Sequence, residues 1–212
     1  MNENIETYFA QNPNTPRKTR EENKQIRKEK AREQVGLVPV ARSQVFSYVN
    51  EFLEMIRKEN GYSEINIKAE TLSLDNSNQA IINNGIIAKE CNWVVPVWDD
   101  ENKKYSQWEH KYTYIKNKFN LDHTKNIVWL KFTTSGHLGV VAKGMDINFS
   151  YDSQSGECVK AANESWDNSF VFIFPLTNDI LESRNTGDIE RGIGNYLIAK
   201  GVPIIDFYSH NY

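Results

Sequence analysis

The stretch from residue 170 to residue 207 constrains the fold most, because two apolar segments in it flank a well-marked helix. Residues 170–174 are Phe-Val-Phe-Ile-Phe, and Pro175 ends this apolar, aromatic run, which predicts a strand buried on both faces. Residues 204–207 predict a second buried strand. A strand, a helix and a strand within about 40 residues form a βαβ crossover, so we expect the two strands to run parallel.

The helix between these strands is predicted from its spacing and its ends. Its apolar residues recur at helical spacing: Ile189, Ile193, Tyr196 and Leu197. Asp188 is the predicted N-cap, Lys200 lies in the last turn, and Gly201 suits the left-handed position after the C-terminus. Gly192 and Gly194 lie inside the helix, where each weakens it by about 1 kcal/mol, so we expect another backbone to approach closely there.

The sequence upstream predicts a second amphipathic helix and a series of strands. Residues 43–59 carry an apolar stripe at helical spacing, and Asn60-Gly61 ends it. From residue 64 the apolar period changes to two, and Asn83-Asn84-Gly85 predicts a hairpin turn. Further strands are expected at residues 91–98, 105–115, 127–130, 137–142 and 145–151, with a turn at residues 152–156.

These elements together predict an α+β (mixed α/β) fold. We expect a charged, polar N-terminal helical arm over residues 1–36 and a single α+β domain over residues 37–212. That domain would contain one amphipathic helix, a mostly antiparallel multi-stranded sheet and a C-terminal βαβ-like unit.

The N-terminal arm has an unusual distribution of charge. Residues 17–32 carry a net charge of +5 in a chain whose net charge is -3, so the remainder carries -8. Thr15 and Pro16 predict the N-cap and first residue of a helix, and Thr19 and Glu22 add a capping box one turn later. On that helix, like charges four residues apart weaken the isolated helix, so an anionic surface along the basic side would stabilise it. The predicted binding residues are Arg17, Arg20, Lys24, Arg27, Lys28 and Arg32.

Composition excludes several classes of protein and leaves a globular one. The chain is 39% hydrophobic and 25% charged, and its two cysteines, Cys91 and Cys158, have no motif spacing, so we expect reduced thiols. The N-terminus has no apolar signal core and no run is long enough to span a membrane. We therefore expect a cytoplasmic or virion-associated protein that is not secreted by a signal peptide and has no membrane partner.

One short segment suggests catalysis. Residues 96–100 are Pro-Val-Trp-Asp-Asp, and Glu109-His110-Lys111 follows ten residues after Asp99. This pattern resembles the PD-(D/E)XK motif of restriction-type nucleases, which implies that Asp99 and Glu109 hold Mg²⁺ and that Lys111 activates water. The motif covers 16 residues, and two features depart from it: a histidine between Glu109 and Lys111, and a turn-like Asp99-Asp100. A solvated hairpin is the alternative explanation, and outside this motif we expect no cofactor.

Other polar positions give weaker signals. His110, His123, His137 and His210 share no metal-ligand spacing. Asp206 follows a predicted buried strand, where open α/β sheets place their sites, with His210 nearby. Residues 133–139 form a loop of small residues that would serve either as an anion-binding loop or as a plain tight turn.

Three functional hypotheses follow. The first is a non-enzymatic binding or assembly protein, of a phage, mobile-element or defence type, whose residues 17–32 contact nucleic acid or an acidic partner, in a homo- or hetero-oligomer. Contact with about six phosphates would make log K fall with log salt at a slope near -5. The second is the Mg²⁺-dependent nuclease. The third is an inhibitor or immunity protein whose acidic remainder covers a basic partner.

Overall fold

The computed structural model describes residues 4–10, 19–62, 79–82, 85–89, 101, 115–122, 124–145 and 147–207. The helices in these ranges are α1 (Glu6–Phe9), α2 (Arg20–Val35), α3 (Arg42–Glu59), α4 (residues 115–118), α5 (Gln154–Ala161), α6 (Asn178–Leu181) and α7 (Thr186–Ala199). The strands are β1 (Gln79–Ile82), β2 (Gly85–Lys89), β3 (Ile127–Phe132), β4 (Leu138–Lys143), β5 (Phe170–Pro175) and β6 (Ile204–Asp206). The predicted α+β fold is confirmed.

The strands form one mixed sheet in the order β1-β2-β5-β3-β4-β6. Four of the pairings are antiparallel, and β6 pairs parallel with β4 through Leu138 opposite Ile204 and Val140 opposite Asp206. Strand β5 therefore runs in the same direction as β6, with β3 and β4 between them. The C-terminal βαβ-like unit thus crosses over two strands, and the mostly antiparallel sheet is confirmed.

Helices cover both faces of this sheet, because side chains along each strand alternate between two apolar clusters. On β3, Val128 and Leu130 join the cluster that contains α3 and α7, whereas Ile127 and Trp129 join the cluster that contains α5. Strand β5 is buried as predicted: its first five residues all lie below a tenth exposure, as expected for a strand covered on both sides.

The last helix starts one turn earlier than its sequence predicts. Asn185, not Asp188, is the N-cap, and its side chain accepts hydrogen bonds from the N–H groups of Gly187 and Asp188. The C-terminal prediction is confirmed, since Gly201 has a φ of +79° directly after the Lys200 C-cap.

The glycines inside α7 face aromatic rings and not another backbone. A β carbon at Gly192 would meet the rings of Phe9 and Phe52, and one at Gly194 would overlap the ring of Phe207. The expectation of a close backbone approach was therefore wrong. The close neighbours are phenylalanine side chains from α1, α3 and the residue after β6.

Three further expectations differ from the structure. Residues 152–156 do not form a simple turn, because Ser153 caps α5 and accepts a hydrogen bond from the Gly156 N–H at 3.1 Å. Residue 115 lies in a helix, and the described part of residues 145–151 is irregular. The predicted strands at residues 91–98 and 105–114 lie outside the described residues.

Candidate docking interface of helix α2

Helix α2 begins with a complete capping box. The Glu22 N–H donates to the Thr19 hydroxyl at 3.2 Å, and the Thr19 N–H donates to the Glu22 carboxylate at 2.7 Å. The predicted capping box is confirmed, whereas the predicted helix start at Thr15 and Pro16 lies outside the described residues. The helix packs on α5 and β6, and Ala31 is its one buried residue. Polar contacts, not apolar burial, therefore dominate its attachment.

Two lysines on α2 converge on one carboxylate of α5. Lys24 Nζ lies 2.8 Å from Glu157 Oε2, and Lys28 Nζ lies 3.4 Å from the same oxygen. The hydrogen bond from Lys24 is the largest influence on Glu157 and, with Lys28, lowers the pKa of its carboxyl below the ordinary value. These side chains remain partly exposed, so each pair contributes modestly and salt screens it.

Arg27 makes the most buried contact of the interface. Its Nη2 lies 2.7 Å from Oδ1 and 2.5 Å from Oδ2 of Asp206, its Nε lies 2.9 Å from Oδ1, and its Nη1 donates to Gln154 Oε1 at 3.0 Å. Asp206 is fully buried at the end of β6, and only 11% of the Arg27 side chain is exposed. Breaking such a pair leaves a buried charge without compensation, which is far more costly than losing a surface pair.

Arg32 completes the described contacts at the other end of the interface. Its Nε donates to the carbonyl of Ala161 at 3.1 Å. Ala161 is the last residue of α5, where helix carbonyls lack partners within the helix and carry partial negative charge. Of the predicted binding residues, Lys24, Arg27, Lys28 and Arg32 thus contact the same chain, Arg20 is exposed, and Arg17 lies outside the described residues.

Cys158 lies in the same apolar cluster as Ala31. It is 2% exposed, and burial, followed by the charge of Asp206, raises the pKa of its thiol to about 12. The thiol is therefore protonated at neutral pH. Its reactivity would report any opening of this part of the molecule.

The segment that joins α2 to α3 contacts the body through Val40, which packs against the apolar core, and through a hydrogen bond to a histidine. His137 Nε2 donates to the carbonyl of Leu37 at 3.0 Å, while its Nδ1 lies 2.9 Å from Ser135 Oγ. The Ser135 hydroxyl also donates to Glu164 at 2.6 Å. A carboxylate already bonded to the hydroxyl of this loop makes it a poor anion site, and Gly136 at φ +94° is typical of a tight turn.

Most of the remaining predicted site residues fall in segments that the structure does not describe. Asp99, Glu109 and Lys111 lie outside the described residues, as do His110, His123 and His210, so the nuclease alternative stays a prediction. Within the ranges that the structure does describe, no group of acidic, histidine and cysteine side chains could hold a metal ion. Among those same residues, no helix has the length and apolar character needed to cross a bilayer.

The acceptor half of the interface was missed by sequence reasoning. Glu157, Gln154 and the Ala161 carbonyl belong to α5, a helix that the sequence did not predict. The sequence predicts a site at Asp206 from its position after a buried strand, and it predicts an external anion as the partner of Arg27. The structure pairs these two residues with each other. The available signal was charge balance, because a +5 segment in a chain with a -8 remainder has acidic partners within its own molecule. Comparison of the chain with protein-family models, with curated proteins and with solved structures finds no match, so the functional argument depends on this geometry.

Proposed function

We propose that the protein is a non-enzymatic binding or assembly protein and that α2 is its docking element, with an acidic protein surface as counterpart. One observation carries the proposal: of the four cations of α2 described in contact with the rest of the chain, Lys24, Arg27 and Lys28 reach the carboxylates of Glu157 and Asp206, and the fourth donates to a backbone carbonyl. The basic side chains predicted to bind an anion thus have a geometry that suits carboxylates on a folded surface.

The acceptors around α2 favour a protein surface over nucleic acid. Arg27 donates to a side-chain amide oxygen as well as to a carboxylate, and Arg32 donates to a backbone carbonyl at a helix end. These groups belong to proteins, whereas a nucleic-acid backbone offers evenly spaced phosphates.

The attachment of α2 also suits reversible docking. Its two pairs with Glu157 are partly exposed, and its apolar contribution comes from the buried Ala31 and the partly buried Val35. Exposed pairs contribute up to about 1 kcal/mol each and weaken with salt. The pairs with Glu157 can therefore be released at moderate cost, and the buried pair between Arg27 and Asp206 is the main barrier to release of the helix.

The test is fluorescence anisotropy of two labelled probes, polyglutamate and duplex DNA, with the full-length protein. We compare the wild type with Lys24→Gln/Lys28→Gln, which removes the two lysines that face α5. The matched control is Arg20→Gln/Lys30→Gln, which removes the same charge from an exposed position and from a lysine that pairs with Glu33 at 2.7 Å.

We expect polyglutamate to bind the wild type and the control similarly and the inward-facing variant about 3- to 10-fold more weakly, as two modest pairs would predict. Equal loss in both variants, or no binding of polyglutamate at about 0.05 M salt, would contradict the proposal. Tight binding of DNA with a steep salt slope would instead favour the nucleic-acid hypothesis.

A further inference from the structure

We propose that the counterpart of α2 is a second copy of this chain, so that two copies exchange α2 reciprocally, each placing it on α5 and β6 of the other. This inference rests on the proposed function and names its partner. An exchanged pair of this kind has twofold symmetry and reproduces, between chains, the contacts made within one chain.

The buried pair between Arg27 and Asp206 selects for an identical helix. Asp206 is fully buried, and three of the described hydrogen bonds that Arg27 donates reach its two carboxylate oxygens. When α2 leaves, a buried carboxylate loses its arginine, and a generic cationic surface does not restore the bidentate geometry. An α2 from another copy restores it completely, so exchange avoids the cost that undocking alone incurs.

The connection between α2 and α3 has features of a hinge. The hydrogen bond from His137 to the carbonyl of Leu37 keeps that residue with the docked helix, and Val40 packs against the apolar core, which leaves Val38 and Pro39 to change direction. Pro39 biases Val38 towards extended backbone, as an open connection requires. Two residues span at most about 7 Å, so the two bodies would lie close together.

Exposed apolar side chains at this hinge support the twofold arrangement. Val38 is 86% exposed and Leu37 is 54% exposed, and they are the two most exposed large hydrophobic residues described. In a reciprocal exchange the two connecting segments pass beside each other. The same apolar pair from each copy would then be covered, which adds an interface that the single chain lacks.

Exchange should depend on protein concentration. Within one chain, a short linker holds α2 near its acceptor at an effective concentration in the millimolar range, so dilute protein is expected to keep α2 on its own body. Concentrated protein, or a hinge that resists folding back, shifts the population towards the exchanged dimer.

The experiment uses zero-length carbodiimide coupling, because Lys24 and Glu157 are in direct contact at 2.8 Å. Equal amounts of ¹⁴N- and ¹⁵N-labelled full-length protein are mixed, incubated over a range of concentrations, coupled and digested. Mass spectrometry then separates same-isotope from mixed-isotope peptides that join α2 to α5. Glu157→Gln is the control that removes the coupling site.

We expect mixed-isotope peptides to increase with concentration and to approach half of the coupled pairs, and light scattering to show the matching dimer. Pro39→Gly relaxes the hinge without touching the docking contacts and should lower the mixed fraction several-fold. Coupled peptides of a single isotope at every concentration would overturn the exchange but leave the proposed function intact. Absence of any α2–α5 coupling would contradict docking itself, and with it the proposed function.

Discussion

Lys131 is a buried cation surrounded by aromatic rings. Its Nζ lies 3.8 Å from the ring centre of Trp166, with the rings of Phe149 and Trp129 within 5.3 Å, and it donates to the Asn148 carbonyl at 2.5 Å. Lys131→Ala removes the cation–π contacts and leaves a cavity, so we expect the free energy of unfolding to fall by about 3–5 kcal/mol.

Urea denaturation measures this loss, and Lys131→Met is the matched variant. Methionine keeps most of the buried volume and removes only the charge and the hydrogen bond, so its expected cost is about 1–3 kcal/mol. An alanine variant within about 1 kcal/mol of the wild type would show that the rings do not stabilise the ammonium group.

Gly194 is fixed by the ring of Phe207, which fills the space that a β carbon would occupy. Helix propensity alone predicts that Gly194→Ala stabilises α7 by about 1 kcal/mol. We expect the opposite sign, a net loss of about 1–3 kcal/mol, because the core must shift to accept the methyl group. Thermal unfolding checks the sign, and adding Phe207→Leu should restore part of the loss, whereas additive effects would exclude this contact as the cause.

At the scale of elements, α2 depends on Arg27 more than on its other cations. Arg27→Ala leaves the fully buried Asp206 without its guanidinium, so we expect a loss of about 3–5 kcal/mol. Arg20→Ala, at an exposed position of the same helix, should stay within about 0.5 kcal/mol of the wild type.

Chemical denaturation of both variants measures the contrast, and Asp206→Asn in the Arg27→Ala background should recover part of the loss because it removes the buried charge. Similar losses for Arg27→Ala and Arg20→Ala would mean that α2 is not anchored through β6.

Local signals in the sequence were enough to predict α2, α3 and α7, because a capping box, an apolar stripe and a glycine past the helix end all act within a few residues. They failed at α5, where Gly156 resembles a turn residue. Its real role is to let the helix pass the backbone of Ser150 and Tyr151, where a β carbon would collide. Because the sequence did not predict α5, it did not place the carboxylate of Glu157 beside α2. Without this internal partner, the segregated charge of α2 indicated an external anion.

In the whole molecule, the partners of α2 come from segments far along the chain, which local patterns do not connect. Local patterns predict the hairpin of β1 and β2 and the strand β5. They do not predict the order of the strands in the sheet. The charge pattern of α2 predicts an external counterpart, either nucleic acid or an acidic partner, whereas the fold shows that Glu157 and Asp206 of the same chain supply carboxylates to it.

Opening of α2 should be measurable across the whole molecule through Cys158. With α2 docked, the thiol is 2% exposed and its pKa is about 12, so it reacts slowly with aromatic disulfide reagents. Salt screens the pairs of Lys24 and Lys28 with Glu157, so we expect the reaction of Cys158 to accelerate several-fold between about 0.05 M and about 0.5 M salt. Peptide mapping separates Cys158 from Cys91.

Acid should open α2 as well, and the direction follows from Glu157. Docking lowers the pKa of this carboxyl, so its contribution to docking is complete above the ordinary glutamate value and is lost as the pH falls through the lowered value. Well below the ordinary glutamate value we expect faster reaction of Cys158 than at neutral pH, relative to the unfolded protein at the same pH. Glu157→Gln should react faster at neutral pH and lose part of this acid dependence, whereas a profile identical to that of the wild type would show that Glu157 does not hold the helix.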